Sequence, residues 1–200
     1  MTGRMRLTLM QRILWAAAGI AVLAYATLLL LDRSPAPVAE APFRPTFALP
    51  DAEGRLRTPA EFAGKHLLVF FGFTNCPDVC PTTLADVARV VDELGDDAAQ
   101  VQPLFISIDP ERDRRLGLAE FTAAFHPSIL GLAGDADQTR AAADSFRIHY
   151  AREDDAGAPD GYSMSHSPAL YLIGPDGDWL RQFSYGTPAS DILADLQSRL

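Results

Sequence analysis

The segment 66–73 contains the run Leu67-Leu68-Val69-Phe70-Phe71, which leaves no position free to face water. It therefore reads as a strand covered on both faces, and hence as a central, parallel strand of an α/β sheet. Directly after it come Cys76-Pro77-Asp78-Val79-Cys80-Pro81, holding both cysteines of the chain. Leu84, Val87, Val91 and Leu94 then repeat at three-and-four spacing, the apolar stripe of an amphipathic helix. A buried strand that feeds a helix through this turn puts the thiols at the helix N-terminus. Unpaired N–H groups and the positive end of the helix dipole favour thiolate over thiol there.

Residues four apart share one face of a helix, so both sulfurs can reach a single metal ion. A disulfide at that spacing is less comfortable. Bridged Cβ atoms stand roughly 4 Å apart, whereas helical neighbours four apart stand about 5–6 Å apart. The first turn must distort for the bond to form, which Pro77 and Pro81 permit. Two cysteines are also too few for a disulfide scaffold. The pair reads as an easily reduced redox pair or as metal ligands.

Upstream, residues 1–12 carry Arg4, Arg6 and Arg12 and no acid, and residues 13–31 are uncharged and rich in Leu, Ala and Ile. At 1.5 Å per residue that stretch spans roughly 28 Å, enough to cross a hydrocarbon core. It reads as a single-pass anchor rather than a cleaved leader, being longer than a usual leader core and closing on no small-x-small site. The basic residues 1–12 then stay in the cytoplasm of a bacterial-type inner membrane, and the rest faces the periplasm. Residues 32–42, rich in Pro and Ala, form a stiff spacer. Residues 43–200 remain for one domain, and the 48% hydrophobic content supplies its core. A formal charge of -9 argues against nucleic acid as a partner.

Within that domain, 47–49 and the turn after it predict a short strand, and 59–62 a brief helix. A second buried strand is expected over 101–108, a helix over 114–125 with Leu118, Phe121 and Phe125 inward, a short strand over 129–132, and a helix over 136–146. Residues 150–165 read as a long polar loop. A strand over 169–173, the turn Gly174-Pro175-Asp176-Gly177, a returning strand over 179–183 and a closing helix over 190–200 complete the pattern. The sum is a thioredoxin-like three-layer α/β sandwich behind an N-terminal transmembrane helix.

In such a layout the segment entering the strand 169–173 lies beside the cysteine loop, which singles out His166 as a third ligand. His66 is expected to be solvated, while His126 and His149 sit near helix ends. Met164 offers a nearby sulfur but suits core packing better. Two thiolates and an imidazole make a soft and incomplete set. A structural zinc site would want a fourth protein ligand, whereas copper(I) accepts few ligands and prefers sulfur, and the nitrogen lets the same site hold copper(II). Asp109 and Asp113 lie at the C-terminal edge of a strand, where α/β sheets place their sites. Their plainer roles are in the turn before Pro110 and as a helix cap. Asp78 reads as an exposed acid complementing the helix dipole.

Three motifs in order, Thr74-Asn75-Cys76-Pro77-Asp78-Val79-Cys80-Pro81, Asp109-Pro110-Glu111-Arg112-Asp113, and His166-Ser167 ahead of Tyr171-Leu172-Ile173-Gly174-Pro175-Asp176-Gly177, resemble the Sco/SenC family over about residues 43–200. The resemblance implies a membrane-anchored, thioredoxin-fold metallochaperone that binds copper and assists assembly of the CuA centre in subunit II of cytochrome c oxidase, after loading by an upstream copper donor. It implies Cys76, Cys80 and His166 as copper ligands, with Asp109 and Asp113 supporting the site. The chain departs from the family at Ser165, where many members carry an acid before the histidine, which implies the loss of a group that could orient the imidazole. The competing reading is an enzyme, a membrane-anchored thiol:disulfide oxidoreductase or thiol peroxidase. It would cycle a Cys76–Cys80 disulfide to keep partner cysteines reduced. Oxidoreductases favour two intervening residues, and this chain has three.

Overall fold

The structure, a computed structural model, describes residues 8–31 and 43–200; the spacer expected over 32–42 lies outside the described residues. Two units are distinct, residues 1–41 and residues 42–200. The first holds one helix, α1 (Leu9–Leu31). Among the described residues, α1 is the one helix long and apolar enough to cross a membrane.

The second unit begins with a two-stranded ribbon, β1 (Leu49–Pro50) and β2 (Leu56–Arg57), and a 3-10 turn at Pro59–Phe62. Then follow β3 (His66–Gly72), α2 (Val79–Leu94), β4 (Val101–Ser107), α3 (Pro110–Leu116), α4 (Leu118–Ala123), β5 (Leu130–Leu132) and α5 (Ala136–Ser145). Next come β6 (Tyr150–Asp154), β7 (Tyr162–His166), β8 (Ala169–Ile173), β9 (Trp179–Ser184) and α6 (Ala189–Gln197). The main sheet runs β5-β4-β3-β8-β9, with β3 central. It is parallel from β3 through β4 to β5 and antiparallel from β3 through β8 to β9. Helices α2 and α6 pack on each other, and α4 packs on β5. The expected thioredoxin-like α/β sandwich is what the chain forms.

Every residue of β3 is buried, because both faces of the strand are covered. Successive side chains point to opposite faces. Phe70 meets Phe105 at 6.0 Å between ring centroids, while Phe71 meets Phe146 at 5.2 Å and Tyr171 at 6.5 Å. Burial of each such ring stabilises the fold by about 1.5–3 kcal/mol. The central strand thus ends at Gly72 with little freedom, and the cysteine turn inherits that fixed starting point.

Four expectations need correction. The helix expected over 114–125 is two helices, since Gly117 adopts a left-handed φ of 82° between α3 and α4. Asp113 therefore sits inside α3, fully buried, rather than capping a helix; Asp109 occupies the N-cap position instead. The polar loop over 150–165 is largely a ribbon, β6 paired antiparallel with β7 and placing Tyr150 opposite His166. It forms its own sheet and is mostly half-buried or exposed, so its sequence lacks the apolar weight of a core strand. His66 is buried rather than solvated, and burial, with help from the Arg199 charge, lowers its pKa below the ordinary histidine value.

Candidate metal centre

Beyond Gly72 the chain leaves the sheet through buried Phe73 and turns back at once, the Cys76 N–H bonding the Phe73 carbonyl at 3.3 Å. Only Cys80 lies within α2; Cys76 precedes its first turn. The two do not share a regular helical face as the spacing suggested. They meet because the Cys80 N–H, an unpaired donor of the first helical turn, reaches the Cys76 sulfur at 3.4 Å. Both stand as free thiols, Cys80 fully buried and Cys76 half-buried.

Gly72 makes room for this arrangement. A Cβ there would stand 2.7 Å from the Cys80 sulfur and 2.9 Å from the edge of Phe105. The approach to Cys76 is fixed by Asp113. Its Oδ1 accepts from the Thr74 N–H at 3.0 Å and the Thr74 hydroxyl at 2.8 Å, and its Oδ2 accepts from the Ser107 hydroxyl at 2.6 Å. One carboxylate thus ties the cysteine loop to the end of β4. Burial pushes the Asp113 carboxyl pKa upward, against the pull of these three donors.

His166 ends β7. Its ring stands edge-on to Phe70 and Phe73, with centroids 5.9 and 6.1 Å away. Nδ1 lies 3.1 Å from the Ser167 carbonyl, which can only accept, so the proton is assigned to Nδ1. Nε2 is left with its lone pair and faces the Cys80 sulfur at 3.9 Å. The orienting group that Ser165 does not supply is therefore replaced by a backbone carbonyl one residue beyond the histidine.

The structure brings Cys76, Cys80 and His166 together and sets Asp113 behind the cysteine loop. Asp109 turns elsewhere: its carboxylate accepts from the Tyr162 hydroxyl at 3.0 and 3.1 Å and from Arg112 Nε at 2.6 Å. His126 bonds Ser128, His149 is exposed, and Met164 packs against the core. Asp78 is exposed at the N-cap of α2. Sequence reasoning missed Thr74, Ser107, Phe73, Arg112 and Tyr162. Gly72 alone carried a signal, as a glycine closing a strand of bulky residues. Among the described residues no three His, Cys, Asp or Glu side chains already stand close enough together to enclose a metal.

The thiols differ sharply. Cys76 accepts from the Cys80 thiol, which is the main reason its pKa is lowered to about 4; the backbone N–H groups of Cys80 and Asp78 add to this, and partial burial opposes it. Cys80 keeps its proton far above the ordinary range, held in that bond and cut off from water. Cys76 also lines an open cleft with Thr74, Asn75, Pro77, Asp155 and Ser163. Since a lowered thiol pKa leaves the thiolate present until pH falls through the folded value, iodoacetamide labelling of Cys76 in the reduced chain should stay flat from about pH 8 to about pH 5. Peptide mass spectrometry would read the rates, with Cys80 labelled only after denaturation. A tenfold fall in Cys76 labelling per pH unit below about 8 would contradict this geometry.

A family model described as SCO1/SenC matches residues 35–200. The bovine protein SCO2 homolog, mitochondrial, is 41% identical over 151 residues, covering 73% of this chain and 55% of its own length. The chain thus spans little more than half of that relative. Among solved structures, Bradyrhizobium japonicum ScoI with copper bound is similar at 34% identity and a TM-score of 0.71, covering 79% of this chain and 99% of that one. Yeast Sco1 with copper bound is similar at 31% identity and a TM-score of 0.70, covering 78% of this chain and 87% of that one.

Proposed function

This chain belongs to the SCO1/SenC family, and we propose that it works as a copper metallochaperone, carrying copper as cargo between Cys76, Cys80 and His166. The observation that carries this reading is the imidazole whose Nδ1 is engaged by Ser167 and whose free Nε2 faces a buried sulfur at 3.9 Å. A thiolate, a thiol that can ionise on a soft metal, and a neutral nitrogen donor suit copper in either oxidation state. With three protein ligands a position stays open through which an acceptor can take the ion. Cys76, at the cleft, is the sulfur an acceptor would meet first. The copper-bound Bradyrhizobium and yeast relatives support the same cargo.

The recipient in this proposal is the CuA site of cytochrome c oxidase subunit II, loaded after an upstream donor has filled the chaperone. Residues 13–31, within α1, anchor the chain in the inner membrane, residues 1–12 remain cytoplasmic, and residues 43–200 act in the periplasm beyond the 32–42 spacer. Asp113 supports the site by fixing the cysteine loop. A second reading draws on the split between the thiols: a Cys76 thiolate open to a cleft can attack a disulfide, with Cys80 resolving the mixed disulfide. This would keep the recipient's cysteines reduced and ready for metal.

The test uses the full chain in detergent micelles, loaded with copper and mixed with an apo, reduced CuA domain. Copper should move to the acceptor and generate its CuA absorption, and Cys76→Ala and His166→Ala chains should deliver little. Transfer that is equal from all chains, or absent from the wild type, would overturn the chaperone reading. If the wild type delivers no copper but reduces an oxidised CuA domain, the second reading takes its place.

A further inference from the structure

His166 ends a ribbon that shares no ladder with the main sheet. Among the described residues, strands β6 and β7 pair only with each other, and a two-stranded hairpin alone is marginally stable in water. Tyr162, Met164 and His166 alternate along one face of β7. Tyr162 lies four residues before His166, roughly 13 Å along the strand. Its surroundings are unlike those of the rest of the ribbon.

The Tyr162 hydroxyl donates to both oxygens of Asp109, at 3.1 and 3.0 Å. Asp109 is held in turn by Arg112 Nε at 2.6 Å. The Arg112 guanidinium lies 4.1 Å from the Tyr162 ring centroid and 5.8 Å from that of Phe73, and its Nη1 donates to the Tyr162 carbonyl at 3.2 Å. Arg152 on β6 lies 3.6 Å from the ring centroid of the same tyrosine. The Arg112 side chain is 1% exposed. A guanidinium taken that far from water is tolerated only when its charge and its donors are met, and here one carboxylate faces its charge and one strand-end carbonyl takes one of its donors.

We propose that Asp109, Arg112 and Tyr162 form a clamp that positions His166, by fixing the far end of β7 to the start of α3 and so setting where the imidazole stands against Cys80. Asp109, which the resemblance implied as a support for the metal site, acts through Tyr162 and the strand. Arg112 also touches Phe73, one of the two rings that flank the imidazole, so the clamp and the histidine seat share a wall. The copper readout below rests on the proposed metal site; the clamp itself does not.

The experiment compares the full wild-type chain in detergent micelles with Tyr162→Phe, which keeps the ring and loses the hydroxyl. Arg115→Ala serves as the control, since it removes an exposed ion pair from the same ribbon, Arg115 to Asp160. In the copper-free proteins, carbon-13 spectra of the histidine rings read the approach of His166 to Phe70 and Phe73 as a ring-current shift and as cross-relaxation. Both signals should vanish in Tyr162→Phe and persist in Arg115→Ala. After copper loading, Tyr162→Phe should keep both cysteines on the metal, lose the nitrogen coupling in the copper(II) electron paramagnetic resonance spectrum, and bind about tenfold more weakly. Ring-current shifts and cross-relaxation in Tyr162→Phe identical to wild type would overturn the clamp, whatever copper does. An imidazole that leaves Phe70 and Phe73 in Tyr162→Phe, beside a wild type that takes no copper, would uphold the clamp and overturn the metal site.

Discussion

Replacing Cys80 with alanine should take the full chain from about one bound copper to none while leaving the domain folded. The side chain is completely buried, so the change removes one sulfur from a packed site and should cost about 1 kcal/mol of stability. Its chemical effect is far larger. Without Cys80 the Cys76 thiolate loses the thiol that lowers its pKa most, and the His166 nitrogen loses the sulfur it faces at 3.9 Å. What is left is one thiolate at the cleft and one imidazole, too few soft donors to hold copper against competing thiols. Metal analysis after passage through a desalting column measures the outcome. A Cys80→Ala chain that retains a full equivalent of copper would remove the buried sulfur from the site.

Gly72→Ala should be nearly as damaging, although it touches no ligand chemically. The added methyl would sit 2.7 Å from the Cys80 sulfur and 2.9 Å from Phe105, both buried side chains with nowhere to retreat. Overpacking of this kind costs about 1–3 kcal/mol. In a domain of this size that corresponds to a fall of roughly 3–10 °C in the unfolding midpoint. The relief available to the chain is to push the Cys80 sulfur away from β3, and that breaks its alignment with His166. Calorimetry and copper affinity should therefore fall together. An unchanged midpoint with unchanged affinity would mean that the end of β3 has slack that its packing does not suggest.

The parts of the molecule that could be read in advance are those in which one physical demand dominates. Residues 67–71 are all large and apolar, and only a doubly covered strand satisfies them; Leu84, Val87, Val91 and Leu94 admit only a helix with one buried face. The nearness of the two cysteines and His166 was legible because the chain has only two thiols and because the segment entering the strand 169–173 is expected beside the cysteine loop. The ribbon of β6 and β7 was not, since Arg152, Glu153 and Asp154 carry no burial signal and are held by pairing and by contacts distant in sequence. Asp113 was named as a supporting residue, but the way it holds the cysteine loop escaped for a related reason. A carboxylate buried behind a loop looks, in sequence, like any acid in a first helical turn, and its partners Thr74 and Ser107 come from other elements. Gly117 offered a signal of the helix break, but the apolar pattern running through Leu118, Phe121 and Phe125 outweighed it.

These elements divide the labour of the site. In the proposed metal site the end of β3 and α2 hold the Cys80 sulfur, Asp113 fixes the loop that carries Cys76, and the histidine comes from a ribbon secured at its far end. A donor set built from one rigid and one separately anchored part can close on an ion and open again without disturbing the core.

X-ray absorption at the copper edge of the loaded full chain tests the central claim most directly. Two sulfur scatterers and one nitrogen scatterer in the wild type, with the nitrogen absent from His166→Ala and both sulfurs still present, is the result this account requires. A first shell of oxygen and nitrogen alone, or a wild-type shell that His166→Ala leaves unchanged, would contradict it.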